Sequence, residues 1–356
     1  MISHVGIIGT GTVAQMMHLP LLSEMPDKFQ IAAVSDVSPT QLAYIAGKYN
    51  AKAIADPYEM IQSDAVDTVF ICSPDAYHAE YALAAINAGK NVFIEKPVTL
   101  DIEDLDKLIE AHKAHPESIC MVGYMRRFSD GFFKCEELLK ASDKKIEYMR
   151  FRDIILEGDF FMGQTFLPYL CSDIDPEVIK TGNAKKMTQL KKALGENCSE
   201  QQRRTYTMLT GLGVHTLSAV RELVGTPENI ESVSVQGDHV IIVFRYHDFL
   251  AVYEILNDQD VVQFDAAIEI YQHDRRMKIK YETPYLRYQP ATFEVINSTK
   301  TSSETTVYGP DYHDPFKNEL EYFHDCIEKH EEPKSDLEDA RADLELCHNI
   351  CMKITE

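Results

Sequence analysis

The sequence predicts two domains: an N-terminal α/β domain on a doubly wound parallel sheet, and a C-terminal α+β domain on a mostly antiparallel sheet flanked by helices. Three observations support this. A glycine-rich turn follows the first apolar run, at residues 9–14. Strand-like and amphipathic helical patterns then alternate up to about residue 123, as in parallel sheets. Beyond residue 124 strand-like runs follow one another with short turns, as in antiparallel sheets.

Length and composition indicate a soluble globular protein with more than one core. The 356 residues exceed what one ordinary domain accommodates. A formal net charge of −22 disfavours nucleic acid and membrane surfaces as partners, because both are anionic. No apolar run approaches the roughly 18 residues of a membrane span, and we expect no signal peptide. The eight cysteines form no CxxC pair, so we expect reduced, buried thiols in a cytoplasmic protein.

The first predicted strand, 4–8, is followed by the sequence GTGTVA, which fits the G-x-G-x-x-G/A fingerprint of a dinucleotide-binding Rossmann domain. Gly9 permits the tight turn, Gly11 lets the backbone approach a pyrophosphate, and Ala14 lets the next helix pack closely. The N-terminus of that helix favours an anion. The cofactor contacts predicted here are Gly9, Thr10, Gly11, Thr12 and Val13.

A second predicted strand, 31–36, ends in Asp36. A carboxylate at this place accepts hydrogen bonds from both ribose hydroxyls of NAD and repels the 2′-phosphate of NADP. The residues that follow are Val37, Ser38 and Pro39, with no arginine to hold such a phosphate. The sequence therefore predicts NAD, with NADP less favoured. The alternative interpretation of Asp36 is a simple turn or cap residue.

The alternation continues through further strands and helices. The predicted strands are 67–73, 91–96 and 118–124, and the predicted helices start at Ser38-Pro39 and cover 76–88 and 101–112. Every candidate site residue falls at the carboxyl end of a strand, where open α/β sheets bind ligands. Pro97 ends one strand and leaves Glu95 and Lys96 at that edge. An isolated Glu-Lys-Pro tripeptide would be interpreted as a surface ion pair.

The remaining two-thirds contain strands, helices and one irregular stretch. The predicted strands are 146–155, 233–236, 239–246, 249–256, 264–273 and 277–282, and the predicted helices are 208–224, 314–330 and 335–352. Residues 160–197 lack periodicity and carry five lysines, so we expect an irregular segment that closes over the substrate, with its lysines in solvent. The predicted domains are 1–123, for cofactor binding, and 124–356, for substrate binding and oligomerisation. The terminal helix 335–352 is expected to pack back on the first domain.

These motifs together resemble the glucose-fructose oxidoreductase / inositol dehydrogenase / MocA family, abbreviated Gfo/Idh/MocA. The resemblance covers nearly the whole chain, and the block GKNVFIEKP is its most specific part. It rests on the glycine fingerprint, Asp36, Ser73-Pro74 with His78, GKNVFIEKP at 89–97, GYMRRF at 123–128, the stretch from Gly213-Val214-His215 to Gly225, and the closing helix 335–347.

The resemblance implies hydride transfer between a secondary hydroxyl of a sugar, glycoside or cyclitol and nicotinamide. It places Lys96 beside the nicotinamide and His215 across the cleft, so that this pair handles the hydroxyl proton. It adds as cofactor contacts Ser73, Pro74, His78, Glu95, Lys96, Pro97 and Arg126. The implied substrate contacts are Lys96, Tyr124, Arg127 and His215. It also implies an open C-terminal sheet and a homodimer or homotetramer. We expect no metal, because Cys347, His348 and Cys351 lie in a helical pattern without a second ligand pair.

One departure leaves the function open at this stage. The family usually has an aspartate four residues before the histidine, where this chain has Gly211. Another acid can take its place, with Asp153, Asp159 and Asp173 as candidates. Alternatively the chemistry is altered, giving an NAD-retaining enzyme that cleaves glycosides by transient oxidation, or a non-catalytic regulatory protein that senses NAD or sugar.

Overall fold

The computed structural model describes residues 1–155, 159–257, 263–287, 289, 291–309 and 312–354. The chain forms two compact units. The first unit contains residues 1–123, 166–197 and 319–345, and the second contains residues 124–165, 198–318 and 346–356. Two later segments of the chain therefore fold with the N-terminal residues. No helix among the described residues has the length and apolar content needed to cross a membrane.

The first unit is built on a six-stranded sheet in the order β3-β2-β1-β4-β5-β6. Its strands are β1 Ser3–Ile8, β2 Phe29–Ser35, β3 Lys52–Ala53, β4 Thr68–Ile71, β5 Asn91–Glu95 and β6 Cys120–Gly123. All neighbouring strands run parallel. The order reverses between β1 and β4, and open α/β sheets bind ligands at such a switch point. The predicted doubly wound parallel sheet is confirmed.

The second unit is built on an open eight-stranded sheet in the order β14-β13-β12-β11-β7-β10-β9-β8. Its strands are β7 Ile146–Ile155, β8 Asn229–Gln236, β9 His239–Arg245, β10 Leu250–Asn257, β11 Phe264–Gln272, β12 Arg275–Tyr281, β13 Thr292–Ser298 and β14 Ser303–Tyr308. Every neighbouring pair is antiparallel except β7 with β10. The predicted mostly antiparallel sheet is confirmed, and β13 and β14 are additions to the predicted strands.

The helices cover the sheet in the first unit and flank the sheet in the second. In chain order they are α1 Leu19–Glu24, α2 Pro39–Tyr49, α3 Pro57–Ile61, α4 His78–Asn87, α5 Ile102–Ala114, α6 Asp130–Lys140, α7 Asp159–Thr165, α8 Pro176–Leu194, α9 Glu200–Met208, α10 Val214–Val224, α11 Pro315–Lys329 and α12 Leu337–Met352. Single π-type turns, Ala14–His18 and Leu209–Gly213, precede α1 and α10, and short 3₁₀ turns occupy Asp75–Tyr77 and Met125–Phe128.

The core of the first unit is formed by the central strands, which are buried on both faces. All four residues of β4 and the last four of β5 are buried, as expected where helices cover both sides of a parallel sheet. Phe70 and Phe93 stack with ring centroids 4.9 Å apart, and Phe323 packs edge-on against both. Burying each of these rings stabilises the fold by about 1.5–3 kcal/mol. This packing fixes the strand ends that carry the candidate site.

Residues 160–197 are largely helical, which corrects the predicted irregular segment. Helix α8 is capped by Asp175, whose side chain accepts a hydrogen bond from the Glu177 N–H at 2.9 Å, and it ends before Gly195 at φ +94°. The helix lacks an apolar stripe because ion pairs hold much of its inner face. The lysine pairs are Lys186–Asp75 at 2.8 Å, Lys192–Asp101 at 2.5 Å and Lys185–Glu80. These lysines were expected to be solvated and are instead ion-paired within the first unit.

Candidate active site

Gly9 forms the turn that follows β1 at the switch point. Its backbone has φ +86°, and its N–H donates to the Ser35 carbonyl at 2.9 Å. A Cβ at this position would lie 2.7 Å from both the Cys72 carbonyl oxygen and the Ser73 nitrogen. Real Cβ contacts do not reach such distances, so only glycine fits. Gly9 therefore holds the ends of β1, β2 and β4 together.

Gly11 has the opposite surroundings. A Cβ built there would meet no atom of the described residues within 4 Å, although helical residues begin directly after it. The Gln15 N–H donates to the Gly11 carbonyl at 3.0 Å, which starts the helix. The helix N-terminus is thus open on the side where the fingerprint requires a pyrophosphate. The residues present fit a dinucleotide at this place.

Asp36 joins the turns after β1 and β2. Its Oδ2 accepts hydrogen bonds from the N–H and Oγ1 of Thr10, both at 2.7 Å, and from Gln41 Nε2 at 3.1 Å. Its Oδ1 accepts one from the Ser38 N–H at 2.9 Å. A carboxylate oxygen offers two lone pairs, so Oδ1 keeps capacity for a ribose hydroxyl. Asp36 is therefore more than a turn residue, because it fixes the fingerprint turn itself.

Glu95 at the end of β5 is buried, and His18 Nε2 donates to its Oε1 at 2.7 Å. Phe70 and Phe93 pack edge-on against the His18 ring, which is inaccessible to solvent. Burial alone would raise the pKa of Glu95. The hydrogen bond from His18 and the positive charges of His18, Lys96 and His78 outweigh burial and lower that pKa. Glu95 is thus a buried carboxylate at neutral pH.

His18 was absent from the predicted site. Its partner lies 77 residues away in sequence, and an isolated histidine on an apolar helix is usually a core residue. The π-type turn Ala14–His18 directs it to the sheet edge. The only feature of the sequence that could have indicated a role for His18 is its position, four residues after the last residue of the fingerprint.

His78 connects the loops after β4 and β5. Its Nδ1 lies 2.7 Å from the Pro97 carbonyl oxygen, and its Nε2 lies 2.6 Å from the Ser73 carbonyl oxygen. Both ring nitrogens therefore contact backbone carbonyl oxygens, and His78 positions the two loops. The Lys96–Pro97 peptide bond is cis. Lys96 itself is half-buried at the carboxyl end of β5, as predicted from the strand-ending proline.

His215 lies in the second unit, buried near the start of α10. A Cβ on the preceding Gly213 would lie 3.0 Å from the Tyr253 hydroxyl oxygen, which is tighter than nearly all Cβ contacts. Gly211, where the family has an acid, is exposed, and its Cβ would meet no described atom within 4 Å. The glycine at 211 is therefore not explained by packing.

Arg126 is part of a buried polar network in the second unit. Its Nη1 donates to Asp153 Oδ1 and to Thr216 Oγ1, both at 2.5 Å. The Tyr253 hydroxyl donates to Asp153 Oδ2 at 2.8 Å. Burial, with the Asp153 charge, raises the pKa of Tyr253 well above its usual value. Asp153 is fully buried and engaged, so it is a poor substitute for the missing aspartate.

The other two acids considered in place of the missing aspartate are Asp159 and Asp173. The side chain of Asp159 lies outside the described residues. Asp173 belongs to the first unit, where its carboxylate contacts Ser38 and Thr40. Asp153 and Asp173 are thus each engaged in hydrogen bonds within their own units.

Tyr124 and Arg127, the predicted substrate contacts, are both buried. The Arg127 Nε donates to Glu222 on α10, and its guanidinium lies over the Tyr124 ring, 5.8 Å from the centroid. These contacts, all within the second unit, hold the GYMRRF segment against α10. The predicted contacts of Arg126 with cofactor, and of Tyr124 and Arg127 with substrate, stay predictions.

One group of described residues, His324, Asp325 and Glu328, has atoms close enough together to hold a metal ion. The carboxylates are already paired, Glu328 with the Met1 ammonium and Asp325 with Lys329 at 3.3 Å. Exposed acidic groups of this kind are common without a metal, so the group adds no step to the chemistry. The predicted lack of a metal stays a prediction.

Residues 3–124 match the oxidoreductase family GFO_IDH_MocA, described as an NAD-binding Rossmann fold. Over these residues the chain is therefore similar to that family. Inositol 2-dehydrogenase 3 of Saccharopolyspora erythraea is 38% identical over 137 residues, which cover 38% of this chain and 40% of that protein. Myo-inositol 2-dehydrogenase of Thermotoga maritima is 35% identical over 137 residues, again 40% of its length. The matches thus span less than half of these curated relatives.

Solved structures extend the likeness in fold to the whole chain. KijD10, a 3-ketoreductase of Actinomadura kijaniata solved with NADP, is 15% identical with a TM-score of 0.73 and covers 98% of this chain and 96% of its own. The dehydrogenase MviM of Clostridium difficile is 16% identical with a TM-score of 0.74 and covers 99% of both chains. The resemblance predicted from the motifs is confirmed over residues 3–124, and beyond them the solved structures show a likeness in fold.

Proposed function

We propose that the protein is an NAD-dependent oxidoreductase that transfers a hydride between a secondary hydroxyl of a sugar, glycoside or cyclitol and nicotinamide. The observation that carries the proposal is the sheet edge at the switch point. There the Gly9 turn, the open helix start after Gly11 and the Asp36 carboxylate fit a dinucleotide. Lys96 directly follows β5, two strands along the sheet from β1. The inositol 2-dehydrogenases similar to residues in this domain support a polyol as substrate.

Nicotinamide supplies the hydride acceptor when the cofactor is bound. As the carbinol carbon loses hydride, the hydroxyl proton must leave, which requires a base within hydrogen-bond reach. We propose that Lys96 and His215 together accept that proton. The buried Glu95 carboxylate and His18 fix the end of β5 from which Lys96 projects, and His78 fixes the loop after Pro97. These three are positioning residues.

The preference for NAD is also a proposal. It is supported by Asp36, whose Oδ1 faces the turn after β2, and by the lack of an arginine in the residues that follow. KijD10, which is similar in fold, was solved with NADP, so the fold alone does not select NAD. We further propose a cytoplasmic homodimer or homotetramer. Reduced thiols are consistent with that location, since all eight cysteines are free and all but Cys171 are buried.

The test is to mix protein and NAD⁺ with a panel of inositols, sugars and glycosides and to follow reduced nicotinamide by its near-ultraviolet absorbance. We expect multiple turnovers with at least one polyol, and their loss in Lys96→Ala and in His215→Ala. The matched control is Lys180→Ala, which removes an exposed lysine from α8. A signal that stops at one equivalent of cofactor would favour the NAD-retaining glycoside-cleaving alternative. Cofactor binding without any signal would favour the regulatory one.

A further inference from the structure

Residues 169–173, named here the strap, lie against the nucleotide-binding turns of the first unit. The Tyr169 N–H donates to Gln15 Oε1 at 2.8 Å, and Gln15 Nε2 donates back to the Tyr169 carbonyl at 3.0 Å. The Cys171 N–H donates to Gln41 Oε1 at 3.2 Å. The Tyr169 ring packs on Tyr44, with centroids 4.1 Å apart. The strap is therefore bound by its backbone and not only by side-chain packing.

The same two glutamines hold the fingerprint turn. Gln15 Nε2 donates to the Thr10 carbonyl at 2.7 Å, and Gln41 Nε2 donates to it at 2.9 Å. Gln15 bonds to the strap through both its amide oxygen and its amide nitrogen, and Gln41 does so through its oxygen. Both side chains also donate to Thr10, the central residue of the glycine turn. The position of the strap is fixed relative to the residues that fit the cofactor.

The strap ends with a carboxylate at the N-terminus of α2. Asp173 Oδ1 accepts a hydrogen bond from Ser38 Oγ, and its Oδ2 accepts one from the Thr40 N–H at 3.1 Å. Ser38 is the N-cap of this helix of 11 residues, and its Oγ also accepts the Gln41 N–H at 3.1 Å. The hydrogen bonds from Ser38 and Thr40 lower the pKa of Asp173 to about 2. The carboxylate is charged at all physiological pH values.

Ser38 is also the residue that Asp36 contacts, because Asp36 Oδ1 accepts the Ser38 N–H at 2.9 Å. Two carboxylates therefore flank one serine directly after β2. In dinucleotide-binding folds this is where an NADP-dependent protein holds the 2′-phosphate. A hydroxyl and a helix N-terminal N–H are suitable donors for such a phosphate. Here both donors are already hydrogen-bonded to the Asp173 carboxylate.

We propose that Asp173 occupies the place of the 2′-phosphate and, together with Asp36, excludes NADP. A 2′-phosphate carries a charge of about −1.5 to −2 at neutral pH. It would lose the Ser38 hydroxyl and the Thr40 N–H as donors and would meet two carboxylates. NAD lacks that phosphate and keeps the Asp36 Oδ1 acceptor for its ribose. The inference rests on the proposed function, since it concerns the choice between the two cofactors.

The proposal separates the roles of the two acids. Removal of Asp36 alone leaves the donors of Ser38 and Thr40 occupied by Asp173. Removal of Asp173 alone releases these donors while Asp36 still binds the ribose of NAD. The effects of the two substitutions on NADP affinity should therefore be non-additive, because both acids contact Ser38.

The test measures dissociation constants by calorimetry for NAD⁺, NADP⁺ and 2′,5′-ADP, using the full chain. The variants are Asp173→Asn, which removes the charge with little change of shape, Asp173→Ala and Asp36→Ala with Asp173→Ala. The matched control is Asp175→Asn, which removes the acid that caps α8 two residues further on. Thermal unfolding of every variant verifies the fold.

We expect both single variants of Asp173 to bind NADP⁺ and 2′,5′-ADP at least about tenfold more tightly than the wild type, equivalent to about 1.4 kcal/mol. In both single variants NAD⁺ affinity should change less than about threefold. The double variant should lose NAD⁺ affinity, because Asp36 also holds the fingerprint turn, and should show the largest rise in the ratio of NADP⁺ to NAD⁺ affinity. Unchanged discrimination in Asp173→Asn, or equal gains for NAD⁺ and NADP⁺, would overturn the proposal. A folded wild type that binds neither nucleotide would contradict the proposed function as well, and this outcome is distinct from the other two.

Discussion

At the scale of single residues, the two glycines of the fingerprint have different physical roles. Gly9 is required by the fold, since its backbone lies in the left-handed region and its Cβ would contact Cys72 and Ser73. Packing does not require Gly11, since its Cβ would meet no described atom within 4 Å, and we propose that the cofactor requires it. A substitution of Gly9 should therefore lower stability, whereas a substitution of Gly11 should weaken cofactor binding.

We expect Gly9→Ala to destabilise the protein by at least about 1–2 kcal/mol, from the left-handed backbone before any steric contact. Gly11→Ala should unfold at nearly the wild-type temperature but bind NAD⁺ more weakly, because its methyl group enters the space for the pyrophosphate. Thermal unfolding and calorimetric titration with NAD⁺ check both. Equal losses of stability in the two variants would contradict the assignment.

Glu95 provides a prediction about pH. Its pKa in the folded protein is below the ordinary value of 4.5, so its contribution to stability is present above pH 4.5. That contribution is lost as the pH falls through the lower folded-state pKa, because the unfolded chain then binds the proton more readily. Glu95→Gln removes this part of the acid dependence and should cost about 1.5–3 kcal/mol at neutral pH.

Urea unfolding between neutral and acidic pH measures the Glu95 effect. The difference in unfolding free energy between wild type and Glu95→Gln should shrink as the pH falls. Glu110→Gln is the control, because Glu110 is exposed on α5. A constant difference over the whole pH range would show that the charge of Glu95 is not involved.

At the scale of elements, α8 is held by ion pairs in place of an apolar stripe. Lys192 contacts Asp101 at 2.5 Å, and the Asp101 side chain is only 3% exposed while it caps α5. Lys192→Met should therefore destabilise the first unit by about 1–3 kcal/mol, since a buried carboxylate loses its partner. Lys180→Met, which removes an exposed pair with Glu177, should cost less than about 1 kcal/mol.

Urea unfolding and amide hydrogen exchange check the α8 prediction. Exchange should rise along residues 176–194 in Lys192→Met and stay at the wild-type rate in Lys180→Met. Raised salt should weaken the wild-type protection in the same residues, because exposed parts of the pairs are screened. Equal behaviour of the two variants would mean that packing, and not charge, holds the helix.

The π-type turn before α10 gives a contrasting pair of glycines. Gly211 is exposed with open space at its Cβ, whereas the Cβ of Gly213 would approach the Tyr253 hydroxyl at 3.0 Å. We expect Gly211→Asp, which installs the family's acid, to change the unfolding free energy by less than about 0.5 kcal/mol. Gly213→Ala should lower it by about 1–3 kcal/mol. Denaturant unfolding compares the two, and a large loss in Gly211→Asp would mean that glycine is needed there for packing.

At the scale of the whole molecule, the sequence predicted the elements whose signals are local. Five of the six parallel strands, the fingerprint turn and Asp36 follow from periodicity and spacing within about 30 residues. Strand β3 was missed because it has only two residues, both exposed. Helix α8 was missed because its inner face is held by charges. Strand β14 was missed because it is almost entirely exposed and shows no alternation.

The parts of the site that sequence reasoning missed depend on contacts distant in the chain. His18 meets Glu95 across 77 residues, and Asp173 meets Ser38 across 135. No periodic pattern encodes such pairs. Arg126 was assigned from the family motif, which does not reveal its bonds to Asp153 and Thr216. The motif therefore identified important residues without identifying what each one contacts.

The proposed reaction transfers a hydride from a secondary carbinol to nicotinamide. The most direct measurement uses a polyol oxidised by the protein, labelled with deuterium on the carbinol carbon, and determines by mass spectrometry where the label goes. We expect deuterium in the reduced nicotinamide and none in Lys96→Ala, which should leave the substrate unchanged. Oxidised or cleaved product with the label released to water, or product formed without reduced nicotinamide, would contradict it.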